Sequence, residues 1–401
     1  AQSGNTGGLT WAQDSATDST KLPLAGGTMT GNIVLGTNTV GGLQITTTAT
    51  SNIGLGSGAV DSITTGDYNV GLGDDALTAT TSGHSNTANG YKALAANTTA
   101  NNNTAIGRHS LLTNTTGADN TAVGRDSMRM NLTGSSNVGI GYETLYANTS
   151  GTSNTAVGRR ALDANTTGDE NVAIGNQSLT ANTTAHDNTA IGANSLTANT
   201  TGASNVAIGQ QSLNSNTTAS NNVAVGKSAL TGNTTGTRNV SVGKDALKTN
   251  TTAQSNTAVG YTALNDTTTG SGNTGIGSEA LFKNTTAADN TGIGHLALYN
   301  NTTGASNTAI GMSALLANTT ASGNTSIGHN ALKTNTTGAA NVSSGENSMY
   351  ANTTGANNIA IGHSSLESNT TADNNTAVGK SALAANTTGA TNTAVGKSAL
   401  L

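Results

Sequence analysis

The chain carries a pattern of apolar and small residues that repeats every 17 residues from Asn52 to its end. Asparagine opens all 21 copies and Thr, Val or Ile follows, then Ala, Gly or Ser, then in nearly every copy Ile, Val or Leu, then an invariant glycine. We number the places in each copy from 1, the opening asparagine, to 17. Places 2 to 4 alternate between β-branched or aliphatic and very small residues, which predicts a short β-strand in every copy.

A second apolar position lies at place 9, which is Leu or Met in every copy except the first, where Val60 stands. One copy offers about two large apolar side chains, and burying each contributes roughly 1.5–3 kcal/mol of stability. This cannot offset the conformational entropy lost when the 17 residues of one copy become ordered. Only stacking of copies makes folding possible. The sequence therefore predicts an all-β fold: a parallel β-solenoid (β-roll) of 21 rungs over residues 52–401, with two short strands per rung. Residues 1–51 are expected to form an N-terminal attachment or entry segment.

The two faces of the predicted strand suggest different roles. We expect the Ile and Val side chains to join the place-9 leucines in the core. The small residues of place 3 and the glycines of place 5 are expected to form a flat outer strip that another backbone approaches closely. The glycine should also take a positive φ at the corner leaving the strand. Threefold self-association would cover the strip and give a rod on the order of 100 Å long, with rungs about 4.8 Å apart.

Two asparagine columns should hydrogen-bond from rung to rung, one at place 1 and one at place 12, where Asn-Thr-Thr recurs. Together with the corner glycine and the core leucine they form the candidate structural ladder. In three representative rungs its residues are Asn103, Gly107, Leu111, Asn114, Asn188, Gly192, Leu196, Asn199, Asn307, Gly311, Leu315 and Asn318.

Composition narrows the possible functions. Charged residues make up 9% of the chain and the net charge is −5, so no basic footprint for nucleic acid is present. The chain has no cysteine, which excludes disulfides and Cys-ligated metals. No apolar run approaches the length of a membrane span. Because the chain begins with Ala rather than Met, we expect it to be processed or a fragment.

The chemistry-bearing residues do not form a recognisable catalytic, cofactor or metal site. Residues 379–381, Gly-Lys-Ser, imitate the end of a phosphate loop, but Asn374 stands where that motif needs glycine. Three histidines share place 6 at two-rung intervals: His295, His329 and His363. At roughly 10 Å apart they are too distant to share an ion. We expect no cofactor, no metal and no enzymatic activity.

The variable places are expected to lie on solvated edges. Aromatic side chains at place 10 should fill clefts between neighbouring chains, with stacking on sugar rings as the alternative. They are Tyr146, Phe282, Tyr299 and Tyr350. A weak basic stripe occupies place 6 and acidic residues gather just before the opening asparagine, and we expect both to keep the rod soluble.

Two segments resemble known families. The unit Asn-Thr-Ala-Val-Gly-x-x-Ala-Leu resembles the head repeat of trimeric autotransporter adhesins, which form left-handed parallel β-rolls with three chains side by side. That family's repeat is usually shorter, so the resemblance covers the strand and corner but not the Asn-Thr-Thr arm. Residues 21–33, which read Lys-Leu-Pro-Leu-Ala-Gly-Gly-Thr-Met-Thr-Gly-Asn-Ile, are similar to a segment common in bacteriophage tail fibres.

Together the resemblances imply the structural shaft of a homotrimeric phage tail fibre, located on the virion and positioning a receptor-binding tip for host attachment. The implied partners are two further copies of the chain, tail or baseplate proteins at the N-terminal segment, and a host surface receptor. The receptor would bind a C-terminal tip expected beyond Leu401. One alternative is the head of a bacterial surface adhesin that binds host surfaces directly. Another is an ice- or surface-binding solenoid, suggested by the threonines of the Asn-Thr-Thr arm.

Overall fold

A computed structural model describes residues 51–401 and, before them, the backbone of three two-residue strands. Most of the expected N-terminal segment over residues 1–51, including residues 21–33, lies outside the described residues. The boundary between that segment and the repeat therefore stays a prediction.

The described residues contain 24 short strands and no helix. The strands are β1 (Val34–Leu35), β2 (Asn38–Thr39), β3 (Leu43–Gln44), β4 (Ile53–Leu55), β5 (Val70–Leu72), β6 (Thr87–Asn89), β7 (Thr104–Ile106), β8 (Thr121–Val123), β9 (Val138–Ile140), β10 (Thr155–Val157), β11 (Val172–Ile174), β12 (Thr189–Ile191), β13 (Val206–Ile208), β14 (Val223–Val225), β15 (Val240–Val242), β16 (Thr257–Val259), β17 (Thr274–Ile276), β18 (Thr291–Ile293), β19 (Thr308–Ile310), β20 (Thr325–Ile327), β21 (Val342–Ser344), β22 (Ile359–Ile361), β23 (Thr376–Val378) and β24 (Thr393–Val395).

Strands β4 to β24 form one continuous parallel ladder. Each strand pairs with the next in a register of 17 residues, as Thr189 does with Val206. At the start of the stack, β3 pairs antiparallel with β4, and β1 and β2 pair antiparallel with each other. Among the described residues β24 pairs with β23 alone, so the ladder is linear. The predicted all-β parallel solenoid with 17-residue rungs is confirmed.

The prediction of two strands per rung was wrong, because each described rung has one strand followed by turns. In the rung that begins at Asn188, three non-glycine residues have left-handed φ angles: Asn194 at 55°, Leu196 at 51° and Ser204 at 57°. Left-handed residues interrupt the extended geometry that a second strand requires. Backbone hydrogen bonds still link these turns to the neighbouring rungs, as from Thr200 N to Thr217 O at 2.8 Å.

The strand faces are reversed relative to the prediction. The small residues of place 3 point inward and are buried, as Ala190 is, and they pack with the buried place-9 leucines such as Leu196. A Cβ added to Gly275 would lie only 3.1 Å from Cγ of Leu264, so the narrow coil has little more than methyl-sized space opposite each leucine. The Ile and Val residues of place 4 point outward, and Ile174 and Ile208 are each 37% exposed. The place-3 residues of the expected outer strip are therefore part of the core, and its place-5 glycines lie half-buried at the corner.

The corner glycines of place 5 combine a positive φ with a close backbone approach. Gly192 has a φ of 131°, and a Cβ on it would lie 2.7 Å from the backbone carbonyl of Gly209 in the next rung. Any side chain would both strain this residue and clash with the neighbouring backbone. The predicted positive φ at the corner is confirmed.

Candidate functional site

The opening asparagines form a buried column that links each rung both to itself and to its neighbour. Asn188 Nδ2 donates to the carbonyl of Gly202 in its own rung at 3.0 Å, which closes the coil. Its Oδ1 accepts from the backbone N–H of Asn205 at 3.0 Å and from Asn205 Nδ2 at 3.2 Å. The donor and acceptor atoms of this buried amide all have hydrogen-bond partners. The amide therefore stabilises the interior.

The asparagines of place 12 form a second buried column that meets the first. Asn199 Nδ2 donates to Asn182 Oδ1 at 3.1 Å and to Gly202 O at 2.9 Å, the same carbonyl that Asn188 binds. The other representative rungs repeat this arrangement: Asn103 and Asn114 converge on Gly117 O, and Asn307 and Asn318 converge on Ala321 O.

The remaining ladder residues line the same interior or its corner. Leu111, Leu196 and Leu315 are fully buried. Gly107, Gly192 and Gly311 occupy corners with φ angles of 129° to 131°. The structure thus brings the predicted ladder residues of each rung together around one narrow core, where they have a structural role and no free reactive group.

The place-12 column is interrupted at Thr267, which sequence reasoning overlooked although threonine there departs from the repeat. Asn250 Oδ1 has no hydrogen-bond partner because the next rung offers no amide, and the buried Oγ1 of Thr267 has none either. Asn284 Nδ2, one rung further, donates only to Ala287 O at 3.1 Å, while Asn284 Oδ1 still accepts from Asn301 Nδ2 at 3.0 Å. This rung, residues 256–272, holds two of the few buried polar side-chain atoms without partners, on Thr262 and Thr267.

The outward side chains of places 2 and 4 form what we call the outer strand face. Place 2 supplies Thr, Val or Ile, and place 4 supplies an almost unbroken aliphatic column. That column consists of Leu55, Leu72, Ile106, Val123, Ile140, Val157, Ile174, Ile191, Ile208, Val225, Val242, Val259, Ile276, Ile293, Ile310, Ile327, Ile361, Val378 and Val395. Only Asn89 and Ser344 interrupt it. A contiguous apolar surface of this extent is typical of an interaction surface.

Charges of opposite sign border the outer strand face. The basic border, at place 6 beyond the carboxyl ends of the strands, contains Arg108, Arg125, Arg159, Lys227, Lys244, Lys380 and Lys397. The acidic border, at places 16 and 17 before the amino ends, contains Asp67, Asp119, Asp169, Glu170, Asp187, Asp289 and Asp373. Against this trend, Asp74 and Glu346 lie on the basic border and Arg238 on the acidic one. The face therefore has an electrostatic direction across its width.

Ionisable groups on the flank of the coil, at places 7, 10 and 11, are partly buried, and several form small clusters. Asp126 is nearly buried and contacts Arg125 at 2.9 Å, His109 at 3.2 Å and Arg129 at 3.7 Å. Burial raises the pKa of Asp163, against the opposing effect of Arg160, and burial likewise raises the pKa of Asp266. These contacts explain the charges as packing features of the flank.

The histidines singled out in the sequence lie apart from one another. His295, His329 and His363 are all exposed at place 6 of alternate rungs. Within the part of the chain that the structure describes, no group of three or more His, Asp or Glu side chains is arranged to hold a metal ion. In the same residues, no helix has the length and hydropathy needed to cross a membrane.

The aromatic residues of place 10 make stacked and cation–π contacts. Phe282 and Tyr299, one rung apart, have ring centroids 5.3 Å apart and planes inclined by 11°. Lysine or arginine lies over three of the four rings: Arg129 over Tyr146 at 5.9 Å, Lys283 over Tyr299 at 5.5 Å and Lys333 over Tyr350 at 5.6 Å. The four predicted place-10 residues are therefore not equivalent, because only Phe282 and Tyr299 form a continuous aromatic surface.

Comparison with known protein-family models and with curated proteins found no match for this chain.

Proposed function

We propose that this chain is a structural shaft that works as a side-by-side homotrimer, in a phage tail fibre that positions a receptor-binding tip. The observation that carries the proposal is the outer strand face, an aliphatic surface bordered by basic residues on one side and acidic residues on the other. Three arguments support it: the continuity of the stack, the size of the face and its electrostatic direction.

The stack has the continuity that a mechanical spacer needs. Every rung from β4 to β24 is bonded to the next through its strand, and the opening asparagine column adds side-chain bonds inside the coil. Such quasi-one-dimensional stacking spreads a load along the whole length rather than over one domain.

The outer strand face is large enough for stable association. With 21 strands about 4.8 Å apart and an outward width of roughly 7 Å, it covers on the order of 700 Å² per chain. That approaches the area of about 800 Å² per partner found in standard protein interfaces. Covering it would remove a row of isoleucine and valine side chains from water, at about 25 cal/mol per Å².

The direction of the charges favours parallel copies in a closed ring. When two parallel chains meet side by side, the basic border of one can face the acidic border of the next. This contact joins two different surface patches and is therefore heterologous. Repeating it by rotation about the rod axis gives a closed ring of chains. Three as the number of chains comes from the resemblance to adhesin heads, and assignment to a tail fibre comes from the resemblance of residues 21–33.

The two alternative functions remain predictions. The adhesin-head alternative shares the same trimeric shaft and differs in what the rod surface binds. The ice- or surface-binding alternative depends on the threonine arm, where place-13 hydroxyls such as Thr200 Oγ1 donate to the next rung, at 3.1 Å from Thr217 O. Those hydroxyl protons are used inside the stack, and measurement of thermal hysteresis would test what the exposed threonines do.

Light scattering of the purified chain tests the proposal. We expect a native mass near three times 39.3 kDa. The double variant Ile174→Lys, Ile208→Lys should lower that mass, because it places charges in the centre of the outer strand face. The matched control Thr184→Lys, Thr218→Lys adds the same charges at exposed arm positions of the same two rungs and should leave the mass unchanged. A monomeric wild type, or equal effects of the two pairs, would contradict the proposal.

A further inference from the structure

A groove of about 390 Å³ lies on the flank of the solenoid, between places 6 and 7 on one side and place 10 on the other. It spans four rungs, from Asp245 to Tyr299. Its volume falls within the range of small-molecule sites, roughly 300–1,000 Å³. Three features of its lining point to one class of ligand.

The first feature is an aromatic wall. Phe282 and Tyr299 stack on one another, and they are the only aromatic residues at place 10 in consecutive rungs of the described solenoid. Tyr261, which is 50% exposed, lines the groove from place 6. Asn265 precedes Phe282 by one rung at the same place, and its shorter side chain leaves space next to the Phe282 ring. The groove therefore offers an aromatic face to a ligand.

The second feature is a set of oriented acceptors. Asn265 Nδ2 donates to the backbone carbonyl of Asp245 at 2.8 Å, which leaves Asn265 Oδ1 without a hydrogen bond among the described residues. Glu279 lines the groove and its carboxylate has no ion pair or hydrogen bond among those residues. Asp245 is instead held by Lys248 at 3.2 Å. Free carboxylate and amide oxygens accept hydrogen bonds from hydroxyl groups.

The third feature is a buried hydroxyl without a partner. Thr262 lines the groove, is only 8% exposed, and its Oγ1 forms no hydrogen bond. It is also the only β-branched residue at place 7 of the solenoid, where it adopts a left-handed φ of 51°. A strained residue with an unsatisfied buried hydroxyl costs stability, and such costs concentrate at functional sites.

We propose that this groove binds a neutral pyranose ring of a glycan. The apolar face of the sugar would lie on Phe282, and its hydroxyls would donate to Glu279 and Asn265. A turn of the Thr262 side chain toward the groove would give its buried hydroxyl the missing partner.

The carboxylates of Asp245 and Glu279 share the lining with Lys248. Lys244 and Lys283 lie beside the groove, over the rings of Tyr261 and Tyr299. Neither sign of charge dominates, which favours a neutral ligand. The proposal goes beyond a spacer role, and it does not depend on the number of chains in the shaft.

Saturation-transfer NMR on the full chain tests the site. The probes are the methyl glycosides of glucose, galactose, mannose and N-acetylglucosamine, at up to roughly 50 mM, which is enough to occupy a millimolar site. We expect at least one of them to bind. Phe282→Ala should weaken that binding about tenfold or more, whereas Tyr350→Ala, a place-10 aromatic outside the groove, should leave it unchanged.

Thr262→Val separates ligand binding from folding. It removes the hydroxyl and keeps the side-chain shape, so we expect affinity to fall about three- to tenfold while thermal stability is unchanged or higher. The assignment is overturned if none of the four glycosides binds, or if Phe282→Ala and Tyr350→Ala weaken binding equally. A changed native mass of Phe282→Ala would also overturn it, since the aromatic wall would then belong to a contact between chains.

Discussion

The two asparagine columns share a chemistry but differ in how strictly the chain preserves them. The opening column is asparagine in all 21 rungs, whereas the place-12 column contains threonine at Thr80 and Thr267 and isoleucine at Ile63. The opening asparagine Oδ1 accepts a buried backbone N–H of the next rung, but the place-12 Oδ1 accepts only a side-chain amide. Buried backbone donors without partners are rarer in proteins than under-satisfied acceptors. The column that accepts backbone donors is therefore kept in every rung, whereas the other column lacks its asparagine in three rungs.

The largest effect is expected from breaking the opening column. Asn188→Ala removes the acceptor of the buried Asn205 N–H and one of the two amides that bind Gly202 O. We expect the opening free energy of the surrounding rungs to fall by about 3 kcal/mol. Native-state hydrogen exchange in residues 171–221 measures it, because a repeat stack opens locally. A loss below that of Asn199→Ala would contradict the ranking of the columns.

Breaking the place-12 column in the same rung should lower the opening free energy by about half as much. Asn199→Ala leaves Asn182 Oδ1 without its partner, the condition that the chain already tolerates at Asn250. Gly202 O keeps its bond to Asn188. We expect a loss of about 1.5 kcal/mol in the same exchange experiment. A loss matching that of the opening-column variant would show that the two columns are equivalent.

Repairing the natural interruption should stabilise the chain. Thr267→Asn supplies an amide donor to Asn250 Oδ1 and an acceptor to Asn284 Nδ2, as in the regular rungs. We expect a gain of about 1 kcal/mol in the opening free energy of residues 239–289. Thr337→Asn, the same substitution at an exposed arm position of another rung, serves as the control and should give no gain. Absence of a gain from the repair would mean that the two unpartnered atoms cost little.

The smallest expected effect is on the pH dependence of stability. It comes from Asp266, the residue before Thr267, where the place-12 column is interrupted. Burial raises its pKa above the ordinary 3.8, with Lys283 opposing the shift. The folded chain therefore holds this proton more tightly than the unfolded chain, and stability falls as pH rises through the window between the two pKa values. Asp266→Asn removes this dependence, so its stability relative to wild type should be higher at about pH 7 than at about pH 3. Thermal unfolding at both values measures it, and the opposite trend would contradict the direction of the shift.

The sequence was sufficient for the period, the position of the strand and the parallel stack, because those follow from spacing alone. It was not sufficient to predict which face of the strand points inward. Alternation at Thr189, Ala190 and Ile191 defines two faces, and propensity favours burying the larger side chains. The coil is so narrow that Leu196 already fills it, which leaves only methyl-sized space on the strand side. Thr262 and Thr267 were visible as departures from the repeat, but their missing partners required coordinates.

Cysteine labelling tests most directly whether the outer strand face is covered by neighbouring chains. The chain contains no cysteine, so Ile208→Cys and Thr218→Cys each introduce a single thiol, one on the outer strand face and one on the exposed arm of the same rung. In the native protein we expect a bulky maleimide to label the first roughly tenfold or more slowly than the second, because reaction requires the chains to separate. Equal labelling rates would contradict the account, since Ile208 is 37% exposed in the single chain.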